Sequence, residues 1–131
     1  KDYFKVANDG VSVIVQIETP EAMAKLEEIA SVPGVDSLFF GPGDLSGAMG
    51  HVGNLMHDDV VKLMADGVKR CHALGIPVGT VGGTPEAVAI YRASGFDYIG
   101  CASDLGLMMR TCAATLSTIR SMDIQNHAQG Y

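Results

Sequence analysis

Short runs rich in β-branched residues alternate with longer segments of helical periodicity along the whole chain. The runs predicted to be strands are residues 11–17, 35–40, 76–81 and 96–101. The first run, VSVIVQI, is almost continuously apolar, which is typical of a strand covered on both faces. No two runs are joined by a tight turn, and strands that alternate with helices predict an α/β fold with a parallel sheet.

The helix starts repeat a sequence motif, Thr-Pro-Glu-Ala, at residues 19–22 and 84–87. Threonine suits the N-cap, proline suits the first turn, and glutamate favours the positive end of the helix dipole. The predicted helices are residues 20–30, 58–74, 85–94 and 105–122. Gly75 and Gly95 are predicted to end the second and third of them. The polar tail, residues 121–131, is predicted to be frayed or held by a partner.

Two architectures agree with this order of elements. One is a small, open, doubly wound domain of four strands, and the other is half of a (β/α)8 barrel, which normally needs roughly 250 residues. The chain has 131 residues, about half of that length. Residues 1–8 also read as the end of a helix whose strand is missing. We therefore predict that residues 1–131 form the carboxy-terminal half of one barrel, its last four βα units.

Composition excludes several classes of protein. A hydrophobic content of 47% is enough for a packed core, and a net charge of −6 disfavours nucleic-acid binding. No apolar run approaches the roughly 20 residues of a membrane span. The three cysteines are odd in number and lack C-x-x-C spacing, which disfavours a disulfide framework or a cysteine zinc site. Reduced thiols predict a cytoplasmic protein.

Candidate functional residues follow the first two predicted strands. Gln16 and Glu18 share one face of the first strand, and Asp44 lies in a Gly-Pro-Gly-Asp segment after the second. Carboxylates at adjacent strand ends are suitable ligands for Mg²⁺. Two structural alternatives stay open: Glu18 could serve the start of the following helix, and Asp44 could cap the turn at residues 45–49. Farther along, Gly82-Gly83-Thr84 could hold a phosphate, but a tight turn before the Thr84 cap is favoured.

The motifs V-x-V-Q-I-E-T-x-x-A and G-V-D-x-L-F-F-G-P-G-D-L-S-x-x-x-G, about twenty residues apart, carry a family resemblance, with the T-P-E-A helix start. They resemble the metal-dependent, class II pyruvate aldolases of the HpcH/HpaI type, from about Val11 to Ile119. The resemblance implies a TIM barrel of the phosphoenolpyruvate/pyruvate type. It also implies a lyase that cleaves a 4-hydroxy-2-oxo acid to pyruvate and an aldehyde through a metal-stabilised enolate.

The resemblance also implies site residues. Glu18 and Asp44 correspond to the family's metal ligands, for Mg²⁺ or for Mn²⁺ or Co²⁺. Gln16 and the backbone N–H groups of Gly43 and Asp44 correspond to its pyruvate-binding groups. The family's catalytic arginine and acid–base histidine belong to the first half of the barrel, so no catalytic residue is expected in this half. The implied partners are an oxo-acid substrate, the missing amino-terminal half and further copies of the chain, but no nucleic acid or membrane.

The remaining polar residues are not expected to replace those catalytic groups. The histidines are His51, His57, His72 and His127, and the arginines are Arg70, Arg92, Arg110 and Arg120. The arginines all fall on predicted helices, and His57 is predicted to begin one. Other functions stay open: an inactive half-barrel that binds metal and oxo acids or serves assembly, an acyl-CoA lyase, or an oxaloacetate decarboxylase. The apolar seam of the last helix, Leu105, Met108, Cys112, Leu116 and Ile119, suits either a subunit interface or packing on the sheet.

Overall fold

The computed structural model describes the backbone of residues 2–128 and the side chains of residues 2–122. Its strands are β1 (Ile14–Ile17), β2 (Ser37–Phe40), β3 (Val78–Val81) and β4 (Tyr98–Gly100). Its helices are α1 (Tyr3–Val6), α2 (Pro20–Ala24), α3 (Leu26–Ala30), α4 (Pro42–Ala48), α5 (Asp58–Ala73), α6 (Pro85–Ala93) and α7 (Asp104–Ala128), with a 3-10 turn at Asn8–Gly10. The strands pair in the order β1-β2-β3-β4, all parallel, which confirms the predicted topology.

One face of the sheet is buried and the opposite face is open. The side chains of Ile17, Phe40 and Val78 are at most 1% exposed and belong to the main core. The helices contribute to that core Met23, Leu26, Val60, Met64, Val68, Cys71 and Tyr91. On the opposite face Ile14 is 52% exposed. A parallel sheet normally has both faces covered, so the open face matches the inner wall of a barrel.

Two contacts hold the helices of the buried face in place. Gly67 lets α5 approach closely, because a Cβ there would lie 2.6 Å from the ring of Phe40. Arg70 on α5 donates two hydrogen bonds to the Glu27 carboxylate on α3, at 2.6 and 2.5 Å. The Arg70 hydrogen bonds lower the pKa of Glu27 to about 2.

The structure corrects several predicted boundaries. The strands begin two to three residues later than predicted, because the preceding residues lie outside the ladder. The helix predicted over residues 20–30 breaks at Lys25. The Lys25 N–H donates to Ala22 O, three residues back, instead of four residues back as in a regular α-helix. This break leaves Met23 and Leu26, on either side of it, both buried. Both Thr-Pro-Glu starts are confirmed, since Thr19 and Thr84 cap their helices through Oγ1.

Helix α7 belongs to a second compact unit that begins at Ala102, whereas the sheet belongs to the first unit, which ends at Cys101. Helical backbone continues to Ala128, so the predicted tail, residues 121–131, is helical that far; residues 129–131 lie outside the described part. The predicted apolar seam is exposed, with Leu105 at 61% and Leu116 at 52%.

The cysteines in the described part of the chain are free: Cys71 is buried, whereas Cys101 and Cys112 are exposed. Between residues 2 and 128, no helix has both the length and the apolar character required to cross a bilayer.

Candidate functional site

At the carboxyl ends of β1 and β2, the side chain of Glu18 lies against Gly41, the residue that follows β2. Gln16 Nε2 donates a hydrogen bond to Glu18 Oε1, as expected for two side chains on the same face of a strand. A Cβ placed on Gly41 would lie 2.8 Å from Glu18 Oε1 and 2.9 Å from Glu18 Cγ. The carboxylate of β1 therefore reaches across to the end of β2 and occupies the space that a side chain at residue 41 would take.

The Gly-Pro-Gly-Asp segment forms the N-cap and first turn of α4. Pro42 begins the helix because its fixed φ and missing N–H suit that position. Gly41 is the N-cap, and no side chain among residues 2–122 accepts a hydrogen bond from this helix start. The space beside Gly43 is open, because a Cβ there would meet nothing within 4 Å. Asp44 is exposed in the first turn.

These observations decide between the structural alternatives for the two carboxylates. Glu18 interacts with Gln16 and lies over Gly41, while the start of α2 is capped by Thr19. Asp44 does not cap α4, because the cap position is Gly41. Both carboxylates therefore stay available as oxygen ligands at the ends of neighbouring strands, which is the chemistry that Mg²⁺ or Mn²⁺ requires. Their ligation of one shared ion stays a prediction.

The segment after α4 contains a cluster of two histidines and an aspartate that was not predicted from the sequence. The rings of His51 and His57 stack with centroids 3.5 Å apart and planes 12° from parallel. Asp59 Oδ2 lies 3.7 Å from His57 Nδ1 and 4.0 Å from His51 Nε2. The prediction that His57 begins a helix is confirmed, since it caps α5 and accepts a 3.3 Å hydrogen bond from Asp59 N–H. The His-x₅-His-x-Asp spacing was the available signal.

A cavity of about 240 Å³ lies between this segment and the loop after β3. Residues 53–56 line one side, and residues 82–84 with Ala87 and Tyr91 line the other. The favoured interpretation of the Gly-Gly-Thr segment as a tight turn agrees with the structure. Thr84 Oγ1 accepts the Ala87 N–H, and a Cβ on Gly82 would lie 2.9 Å from the Val88 side chain.

His72 lies at the amino end of the sheet, away from the carboxyl ends of the strands. His72 Nε2 is 3.0 Å from Asp97 Oδ2, and Asp97 precedes β4. The arginines are all helical, as predicted, on α5, α6 and α7. Burial raises the pKa of the Cys71 thiol to about 11, which keeps it protonated and unreactive. The side chain of His127 lies outside the described residues.

Comparison with known proteins gives a consistent result. Residues 2–111 match the family described as HpcH/HpaI aldolase/citrate lyase. The chain is 54% identical over 109 residues to a 2-dehydro-3,6-dideoxy-6-sulfogluconate aldolase of Pseudomonas putida, covering 83% of this chain and 43% of the relative. It is 37% identical over 121 residues to a hydroxypyruvate/pyruvate aldolase of Paraburkholderia phytofirmans, covering 92% and 46%.

Solved structures agree with this match. A family member from Burkholderia cenocepacia superposes with a TM-score of 0.82 at 37% identity, over 92% of this chain and 47% of that one. The citrate synthase SbnG superposes with a TM-score of 0.81 at 26% identity, over 93% and 50%. The chain thus spans about half or less of the length of each of these proteins.

Proposed function

The chain belongs to the HpcH/HpaI aldolase/citrate lyase family, and we propose that it forms the metal- and pyruvate-binding half of a class II aldolase. The reaction would be reversible cleavage of a 4-hydroxy-2-oxo acid to pyruvate and an aldehyde. Relatives with aldolase names and up to 54% identity support this reaction type. The observation that carries the proposal is the Glu18 carboxylate packed over Gly41, beside the turn that bears Asp44.

Glu18 and Asp44 would hold a divalent ion, Mg²⁺ or alternatively Mn²⁺ or Co²⁺, through oxygen atoms alone. When bound, that ion supplies a Lewis acid that stabilises negative charge developing on the substrate oxygens. Gln16 fixes Glu18 by its hydrogen bond and presents its amide beside it for substrate. The N–H groups of Gly43 and Asp44 would donate to the pyruvate carboxylate, for which the space beside Gly43 is open.

Proton transfer and further stabilisation of the enolate oxygen need groups that we expect outside this chain. The chain does not cover more than half of the length of its relatives. We propose that a segment equivalent to that uncovered part supplies an arginine and an acid–base histidine. That part would also cover the open face of the sheet and close the barrel. We further propose a cytoplasmic homo-oligomer in which the exposed apolar residues of α7 contribute to the subunit interface.

Pyruvate release in the protein that carries this chain tests the proposal. We expect activity on short 4-hydroxy-2-oxo acids that is abolished by a chelator and restored by Mg²⁺ or Mn²⁺. Glu18→Gln should lower kcat/KM by at least about 1,000-fold, since removing a single oxyanion-stabilising group already costs roughly 100- to 1,000-fold. Glu21→Gln, on the exposed start of α2, is the matched control and should leave kcat/KM unchanged. Full activity of Glu18→Gln, or activity that survives chelation, would refute the proposal.

A second candidate function uses the same residues, Glu18 and Asp44, on a different substrate. The family description includes citrate lyase, and one structural neighbour is named a citrate synthase. An acyl-CoA lyase or an oxaloacetate decarboxylase would use the same carboxylates to bind the oxo acid. Parallel assays with oxaloacetate and with acyl-CoA thioesters decide between these reactions, because only the aldolase releases an aldehyde from a 4-hydroxy-2-oxo acid.

A further inference from the structure

We propose that His51, His57 and Asp59 form a second metal site, which binds Zn²⁺ or a similar borderline ion and stabilises the segment between α4 and α5. One ligand atom from each of the three residues lies within 4.8 Å of the other two. The site would have two imidazole nitrogens, one carboxylate oxygen and an open position for water. It does not depend on the aldolase proposal, because neither Glu18 nor Asp44 takes part.

The distances are close to those that a tetrahedral ion requires. Zinc binds nitrogen and oxygen ligands at about 2.0–2.2 Å, so two ligands of a tetrahedral site lie about 3.4 Å apart. Asp59 Oδ2 lies 3.7 Å from His57 Nδ1 and 4.0 Å from His51 Nε2. Closing the site therefore brings Asp59 Oδ2 about 0.3 Å closer to His57 and about 0.6 Å closer to His51, and the two histidine nitrogens, which lie within 4.8 Å of each other, must also approach.

One ring must also turn, because stacked imidazoles hold their lone pairs in parallel planes. The two histidine side chains are 27% and 34% exposed, so neither is enclosed in the core. The interaction that an ion at His57 Nδ1 would replace is a weak one, the 3.3 Å hydrogen bond from Asp59 N–H.

The backbone that carries the cluster is already well supported. His51 N–H donates to Ser46 O at 2.7 Å, and His51 O accepts the Asn54 N–H at 2.9 Å. His57 O accepts the Val61 N–H at 3.0 Å as α5 begins. The ligands are thus held close together before any ion arrives, which reduces the entropy lost on binding.

The donor set decides which ion binds. Imidazole nitrogens favour borderline ions such as Zn²⁺, Co²⁺ and Ni²⁺, whereas Mg²⁺ prefers oxygen ligands alone. In the presence of excess Mg²⁺, the Glu18–Asp44 pair would therefore hold Mg²⁺ while the histidine cluster takes Zn²⁺, Co²⁺ or Ni²⁺. An ion here would also stiffen residues 53–56, which line the cavity of about 240 Å³ beside the loop after β3.

Titration of the metal-free full chain with Co²⁺ in the presence of excess Mg²⁺ tests the site. We expect one equivalent to bind with the intense visible absorption of four-coordinate Co²⁺, and Zn²⁺ to displace it. His51→Ala should weaken binding by about 100-fold or more, because losing even a residue that merely supports a metal ligand costs roughly 10- to 100-fold. His57→Asn should do the same while keeping a residue that can cap α5.

Two control variants make the result decisive. His72→Ala removes an exposed histidine outside the cluster, and Asp44→Asn removes a carboxylate of the proposed active site. Both should bind Co²⁺ in the same way as the unsubstituted chain. The proposal is overturned if the unsubstituted chain binds no Co²⁺, if His51→Ala binds it with unchanged affinity and spectrum, or if Asp44→Asn alone abolishes binding.

Discussion

The two ends of the parallel sheet use their polar groups differently. At the amino end, Asp36 accepts the Val13 N–H at 2.7 Å and Asp97 accepts the Val78 N–H at 2.8 Å. At the carboxyl end, Glu18 accepts a side-chain hydrogen bond from Gln16, and none of the side chains that the structure describes caps the turn at Gly41. The first end satisfies its backbone groups and stabilises the fold, whereas the second keeps its carboxylates available to a ligand. This division is typical of barrel enzymes.

A substitution at Gly41 breaks the arrangement of the carboxyl end most directly. Gly41→Ala places a Cβ against Glu18, whose flexible side chain must move away from its present position. We expect divalent-ion affinity, measured by calorimetry, to fall by roughly 10- to 100-fold, as for residues that support metal ligands, with little loss of stability. Gly43→Ala is the matched control, because its Cβ meets nothing within 4 Å and its N–H is kept. Equal affinities of the two variants would show that Gly41 has no special role.

A smaller effect is expected at the amino end, and there it concerns stability. The hydroxyls of Ser37 and Tyr98 lie 2.7 Å apart, and Leu38 O lies 3.2 Å from each of them as a shared acceptor. Ser37 Oγ also lies 2.8 Å from its other acceptor, Pro77 O. Tyr98→Phe should lower the free energy of unfolding by about 1–2 kcal/mol, measured with denaturant.

The matched control for this substitution is a second tyrosine of the fold. Tyr91 is 1% exposed, and its hydroxyl makes no hydrogen bond with the described residues. Tyr91→Phe should therefore not lower the free energy of unfolding, because it removes no hydrogen bond. If both variants lose the same stability, the hydrogen bonds of Tyr98 are not what stabilises the amino end.

The smallest effect is the pH dependence of Asp97. Partial burial acts to raise the pKa of this carboxyl, but the Val78 N–H and the His72 ring outweigh it and hold the pKa below its ordinary value. A carboxyl with a lowered pKa in the folded state adds stability above its unfolded pKa, and that stability is lost as the pH falls through the folded value. We expect Asp97→Asn to flatten the acid side of the stability curve, below about pH 4. An unchanged curve in thermal unfolding would contradict this assignment.

Much of the fold could be predicted because its signals are local. The Thr-Pro-Glu starts, the αL glycines Gly75 and Gly95, and the β-branched runs act within a few residues, and the structure bears out all three signals. The parallel order follows from the alternation of strands and helices. The break at Lys25 was missed because it depends on which side chains the core can accept.

The site could be predicted only in part, for the same physical reason. Strand periodicity sets which face a side chain lies on, so Gln16 and Glu18 could be predicted to share one face at the end of β1, and their hydrogen bond agrees with this. The stacking of His51 on His57 and the pairing of Ser37 with Tyr98 depend on loop closure or on contacts between distant strands. Neither the periodicity nor the composition of a single segment contains that information.

The proposed divalent ion at the carboxyl end of this sheet, held by Glu18 and Asp44, can be measured directly. Manganese binding, followed by electron paramagnetic resonance of the free ion, detects it without requiring turnover. We expect the unsubstituted protein to bind Mn²⁺ at this site, with an affinity at least about 100-fold weaker in both Glu18→Gln and Asp44→Asn, because each substitution removes an anionic oxygen ligand. Unchanged binding of Mn²⁺ by both variants, with the fold intact, would contradict it.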